Sequence, residues 1–195
     1  MAATPPYARE KLVHAIVFFT KSTKDCKKLK LFKLLFLFDF KIFRETGKPA
    51  TGLDYFAWKM GPVPKALFEE LKSPQADMKD ALAFKVASTS EPDPDFKDRG
   101  LTIMPRVAFD ESYFTPREVN ALNLLAEIYR DAGAKDMTEV THHKSAPWYR
   151  VFEVEKRPDA LIPYLLALDS KAGSITREQA ELIAEEAREA AALFE

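Results

Sequence analysis

The chain of 195 residues is 47% apolar and 30% charged, enough for one core of ordinary size. Its 29 basic against 30 acidic side chains do not suit a protein that coats nucleic acid, because such binding draws its affinity from many phosphate contacts. The balance is uneven along the chain: residues 1–50 hold 11 Lys/Arg against 4 Asp/Glu, and residues 151–195 hold 5 against 10, so a basic start faces an acidic end.

Thr4-Pro5-Pro6 opens a first helix that places Leu12, Ile16 and Phe19 on one side and ends near Thr20. A second helix starts near Asp25, runs through Leu31, Leu34, Leu35, Phe38 and Ile42, and stops at Gly47 with Pro49 beyond it. Phe32, Phe36, Leu37, Phe40 and Phe43 make this helix apolar around most of its circumference, which predicts that other elements surround it. Lys30, Lys33, Asp39 and Lys41 interrupt the run well short of the roughly 20 apolar residues a membrane span needs.

Between residues 50 and 60, Tyr55, Ala57 and Lys59 alternate with Phe56, Trp58 and Met60, a period that predicts a short extended segment. Gly61-Pro62-Val63-Pro64 then reads as a rigid loop that releases a short helix over Lys65–Lys72. A strand around Phe84–Ala87 and another over Leu101–Phe109 predict a small β-hairpin near 84–109. Thr115-Pro116-Arg117-Glu118 has the form of a capping box and launches a helix from Val119 to Ala132, with Gly133 ending it. Shorter helices are expected over Asp136–His143 and Trp148–Val154. A last helix starts at Thr176, boxed by Gln179, with Ala180, Ile183, Ala184, Ala187, Ala190, Ala191 and Phe194 on one stripe and glutamates opposite.

Catalytic and ligand-binding constellations are each missing a member. Adjacent histidines such as His142 and His143 point about 100° apart on a helix, and no HExxH or CxxC accompanies them, so a fold-internal hydrogen bond for His143 is preferred to a metal site. Cys26, the single cysteine, lies among lysines at a helix start, where a lowered pKa is expected. It has no histidine base in its own segment, and a helix cap or surface thiol is the preferred role. One unpaired cysteine also indicates a reducing compartment, the cytoplasm, and Met1–Pro6 lacks the features of a secretion leader. No glycine-rich loop suggests a nucleotide, so no cofactor is expected. Lys21, Lys24, Lys27, Lys28, Lys30 and Lys33 form a basic run read as a solvated face, with a weak operator contact as its sharper alternative. Asp39, in the middle of an oily helix, must be paired or hydrogen-bonded and is read as a structural anchor.

Two passages raise the reading above a helical domain. The first is Lys33-Leu34-Leu35-Phe36-Leu37-Phe38-Asp39-Phe40, followed by Thr46-Gly47-Lys48-Pro49, Thr51-Gly52-Leu53-Asp54-Tyr55, Ala57-Trp58 and Gly61-Pro62-Val63-Pro64. The second is Thr141-His142-His143 with Pro147-Trp148, where His143 precedes Trp148 by five positions. Together, over roughly residues 9 to 165, they resemble the Panacea domain of the SocA-like antitoxins. Ser145 stands where the family often has an acidic residue, and the helix after Ser174 matches no signature.

The resemblance implies an antitoxin of a bacterial or phage toxin–antitoxin pair, a non-enzymatic protein that neutralises its cognate toxin by direct contact or, in one branch, delivers it to a cellular protease. The fold expected is mainly α (α+β), a single compact domain over residues 1–170 around the central helix, with residues 171–195 as an acidic amphipathic helix packed on it or facing a partner. Asp39, Tyr55, Trp58, Met60, Gly61, Pro62, Val63, Pro64, His143 and Trp148 are the signature or partner-binding candidates. A rigid proline-rich segment beside aromatics is what a pre-organised surface requires. The alternative is a DNA-binding regulator using the basic first two helices.

Overall fold

The structure, a computed structural model, describes residues 5–86, 101–169 and 175–192. It is mainly α, with two small antiparallel hairpins. Helices α1 (Ala8–Ser22) and α2 (Lys28–Thr46) come first. Asp25 takes a left-handed conformation at φ 47°, and Lys27 N–H closes back on its carbonyl at 2.7 Å. That turn delays the second helix to Lys28, three residues after the position expected. Its end is as expected: Gly47 adopts φ 76° and donates to Phe43 O.

Apolar residues on all sides of α2 make it the centre of the fold. Leu31, Phe32, Leu34, Leu35 and Phe38 are fully enclosed, and α1, α5 (Pro116–Ile128), α6 (Ala134–Thr141) and the hairpin β1 (Tyr55–Trp58) with β2 (Gly61–Pro64) pack around it. Gly61-Pro62-Val63-Pro64 is thus a strand and not a loop, pairing Tyr55↔Pro64 and Ala57↔Pro62. Proline is tolerated there because an edge strand needs few ladder donors. Helix α3 (Lys65–Glu70) follows directly.

The expected second hairpin forms from β3 (Leu82–Val86) and β4 (Leu101–Pro105), after a short α4 (Ala76–Ala81). Ala87 lies outside the described residues, and β4 stops at Pro105. Phe109 instead packs its ring 5.0 Å from Phe18 and 5.4 Å from Phe114. The capping box of α5 is present in full, and Glu118 accepts from Thr115 N–H at 2.7 Å. The same carboxylate takes the buried Lys11 ammonium at 2.7 Å, tying α1 to α5.

Burial overturns two expectations about the first fifty residues. The lysine run is a solvated face only in its first half: Lys21, Lys24 and Lys27 are exposed, but Lys28, Lys30 and Lys33 are buried. Lys28 lies 4.4 Å over the Phe68 ring, and Lys30 donates to the carbonyls of Lys24 and Arg130 at 2.8 and 3.2 Å. Cys26 is likewise buried, and burial pushes its thiol up to about 11 instead of down; it is neither a surface thiol nor an activated one. Further on, α7 (Pro147–Tyr149) runs into a π-helical turn over Arg150–Val154. A 3-10 turn over Tyr164–Asp169 precedes α8 (Arg177–Ala192), whose Thr176–Gln179 box is present. Phe194 lies outside the described residues.

Candidate functional site

The two signature passages meet in space on one side of α2. The turn between β1 and β2 is closed by Gly61 at φ 103°, a conformation that side-chain-bearing residues rarely take. A Cβ there would also run into the Lys33 ammonium and lie 3.1 Å from His142 Nε2. Lys33, projecting from α2, donates to the carbonyl of Met60 and, at 3.4 Å, to that of Pro62. Burial holds its ammonium well below the usual lysine range, as removal of a charge from water requires.

On the far side of this turn, the His142 ring stacks on Trp148, centroids 3.6 Å apart and 7° from parallel, and Trp148 stacks in turn on Phe152 at 4.8 Å and 14°. Burial, and then the nearby Lys33 charge, bring His142 down to about 4, with Glu153 and the Met60 carbonyl working weakly the other way. Trp148 Nε1–H donates to the Trp58 carbonyl at 2.8 Å.

Six residues beyond Lys33 on α2, Asp39 holds the beginning of the same hairpin. Its carboxylate accepts the Thr51 N–H at 2.7 Å, the Thr51 hydroxyl at 2.5 Å and the Tyr55 hydroxyl at 2.8 Å. Burial raises the Asp39 carboxyl to about 6 against the pull of those donors. Outside the hairpin, residues 159–162 close over β1. Ala57 N–H donates to Ala160 O at 2.9 Å and Ile162 N–H to Tyr55 O at 2.8 Å. Asp159, left-handed at φ 61°, accepts Trp58 Nε1–H at 2.6 Å and pairs with Lys65.

The residues singled out by sequence thus lie mostly inward. Asp39, Tyr55, Gly61, Pro62, Val63, Pro64 and Trp148 are buried, while Trp58 and Met60 are half-buried. His143 is exposed, its Nδ1 2.8 Å from the Ser145 hydroxyl. The neighbouring His142 joins the stack. Sequence reasoning read Lys33 as part of a solvated basic run, preferred His143 to His142, and gave Asp159 no role. A lysine flanked by apolar residues on every side of a central helix was the available signal for Lys33. Asp159, about 100 residues from its partners, had none. Among the described residues, no three His, Cys, Asp or Glu side chains come together as metal ligands would. No helix there is long and apolar enough to cross a membrane.

The family profile described as "Antitoxin SocA-like, Panacea domain" matches residues 31–149, from the first buried turn of α2 to the residue after Trp148. No curated protein and no solved structure matches the chain. The match covers more than half of the sequence and contains both halves of the Lys33–Gly61–Trp148 assembly, and the chain belongs to the Panacea-domain family of SocA-like antitoxins.

Proposed function

We propose that the protein is the antitoxin of a bacterial or phage toxin–antitoxin pair and neutralises a co-encoded toxin in the cytoplasm by binding it directly, without catalysis. The observation that carries this reading is the inward use of the signature. Lys33, Asp39, Tyr55 and Trp148 each direct their polar atoms to partners inside the fold, which makes a stiff scaffold. Stiffness lowers the entropy cost of association, and a domain of this size can present the roughly 800 Å² per partner that a stable interface needs.

Delivery of the bound toxin to a cellular protease is a variant of the same reading. Operator binding is disfavoured, because half of the basic run is buried and Lys24 is paired with Asp131 at 2.6 Å. Co-expression with the co-encoded toxin is expected to restore growth, and the two proteins to co-purify in fixed ratio. Rescue without a complex, even when proteases are inhibited, leaves only the adaptor variant, and then only if toxin levels rise once the protease is removed.

A further inference from the structure

Resting on that reading, we propose that the toxin docks on the aromatic face where the start of α1 meets the 3-10 turn over Glu111–Tyr113, and that the side chain it places there is an arginine. Tyr7, the residue before α1, shares one face of the helix with His14 two turns on. The Tyr113 ring stands 6.0 Å from that of Tyr7 and 5.2 Å from that of His14, and Phe109 continues the row 6.4 Å from His14. Tyr7 is 62% exposed, while His14, Phe109 and Tyr113 are half-buried. Open tyrosines held by neighbouring rings are the anchors that interfaces favour.

The charge around these rings selects what covers them. Glu10 lies on α1 one turn before His14, Asp110 immediately precedes the 3-10 turn, and Glu111 opens it. All three are exposed, and none forms an ion pair among the described residues. Hydrogen bonds from Ser112 hold the Asp110 carboxyl below the usual carboxylate range, so its charge persists and stays uncompensated. The cations nearest in the chain are engaged elsewhere. Arg9 pairs with Glu70 and Asp77, and Lys11 with Glu118; Arg106 donates to the Lys79 carbonyl at 3.1 Å. The face therefore complements a positive group.

His14 does not oppose such a group. The Asp110 N–H donates to His14 Nδ1 at 3.1 Å, so that nitrogen carries no proton, and burial lowers the pKa of the ring although the Asp110 charge pulls the other way. A neutral imidazole adds an aromatic face without repulsion. Of the two basic side chains, arginine fits best: its planar guanidinium stacks on tyrosine while its edge donates to carboxylates.

The test pairs the full chain with its co-encoded toxin. Tyr7→Ala removes a mostly exposed ring and is expected to keep the thermal midpoint while weakening toxin affinity at least about 10-fold. Glu10→Gln/Glu111→Gln should weaken it at least about fivefold at low salt, a difference that closes as salt screens the charges. Unchanged affinity in both variants would overturn the face while leaving neutralisation intact; no complex with the unaltered chain would remove both. Self-association of the unaltered chain that Tyr7→Ala abolishes would make a second copy the occupant, against the proposal. As a measurement independent of any variant, a blocked pentapeptide with one arginine between glycine pairs is titrated into the unaltered chain. It should shift the ring signals of Tyr7, His14 and Tyr113, and its counterpart with neutral citrulline should shift them at least about threefold less at the same concentration. Absence of shifts, or equal shifts from the two peptides, would overturn the assignment.

Discussion

Trp148 donates its indole N–H to the main-chain carbonyl of Trp58 at 2.8 Å, joining segments 90 residues apart. The same ring fills the space between His142 and Phe152. Its two contributions can be separated. Trp148→Phe keeps an aromatic face but leaves the Trp58 carbonyl without its donor, and is expected to cost about 1–2 kcal/mol. Trp148→Ala loses the stack as well and is expected to cost about 3–5 kcal/mol. Urea midpoints at constant slope measure both; equal losses would show that the bond contributes nothing beyond packing.

Gly61 is constrained twice, by its φ of 103° and by the Lys33 ammonium where a Cβ would stand. Gly61→Ala is expected to destabilise by about 2–3 kcal/mol. In a Lys33→Met background the second constraint is relaxed and the first is not. The alanine should therefore cost less there, about 1 kcal/mol or more from the backbone alone, and chemical denaturation of the four proteins gives the coupling. Additive losses would mean that Lys33 yields freely and only the backbone conformation matters.

Elements governed by local chemistry were legible in the sequence. The Thr115–Glu118 and Thr176–Gln179 boxes and the Gly47 stop announce themselves within four residues of chain. The alternation from Tyr55 to Trp58 also gave the extended segment, whose inward face the structure shows to be Tyr55 and Ala57. What the sequence did not disclose depends on distant partners. Pro62 and Pro64 look like a loop until β1 is known to pair with only one side of them. Lys33 looks solvated until the Met60 and Pro62 carbonyls converge on it. His142 and His143 differ by one position, and which of them joins the stack is decided by where α6 ends, at Thr141, a boundary that periodicity resolves only to a few residues.

Stability should show two opposite acid limbs in one pH window. Asp39 has a carboxyl at about 6 in the fold against an ordinary 3.8, so the folded state holds a proton that the unfolded state releases. Its contribution, at most roughly 3 kcal/mol, is present below about pH 4 and is lost as pH rises to 6. His142, at about 4 against an ordinary 6.5, works the other way: its contribution is present above pH 6.5 and lost as pH falls to 4. The wild-type curve is expected to be shallow between pH 4 and 6. Asp39→Asn should leave a stability that climbs with pH across this window, and His142→Phe one that declines. A curve of unchanged shape in Asp39→Asn would show that this carboxyl is ionised throughout.

The acidic helix α8 is expected to be separable from the rest. Within it Ala180 is buried, but Leu182 is 57% exposed. A gap of about 70 Å³ remains among Phe43, Leu165, Ile183 and Ala187. So loose a seat, at about 25 cal/mol per Å² of apolar area, contributes only a few kcal/mol, and a chain ending at Ser170 should still unfold cooperatively, with a midpoint lower by roughly 5–10 °C. The docking of α8 can be tested through Gly47. A Cβ there would lie 2.9 Å from Ile183 Cδ1 and 3.2 Å from Ile175 Cδ1, and the residue is left-handed at φ 76°. In the full chain Gly47→Ala meets both the backbone penalty and the isoleucines; in the shortened chain it meets only the first. The alanine should therefore cost at least about 0.5 kcal/mol more in the full chain, the threshold at which contacting sites depart from additivity. Equal costs would mean that α8 does not pack on Gly47 in solution, and aggregation of the shortened chain would mean that the helix is part of the core.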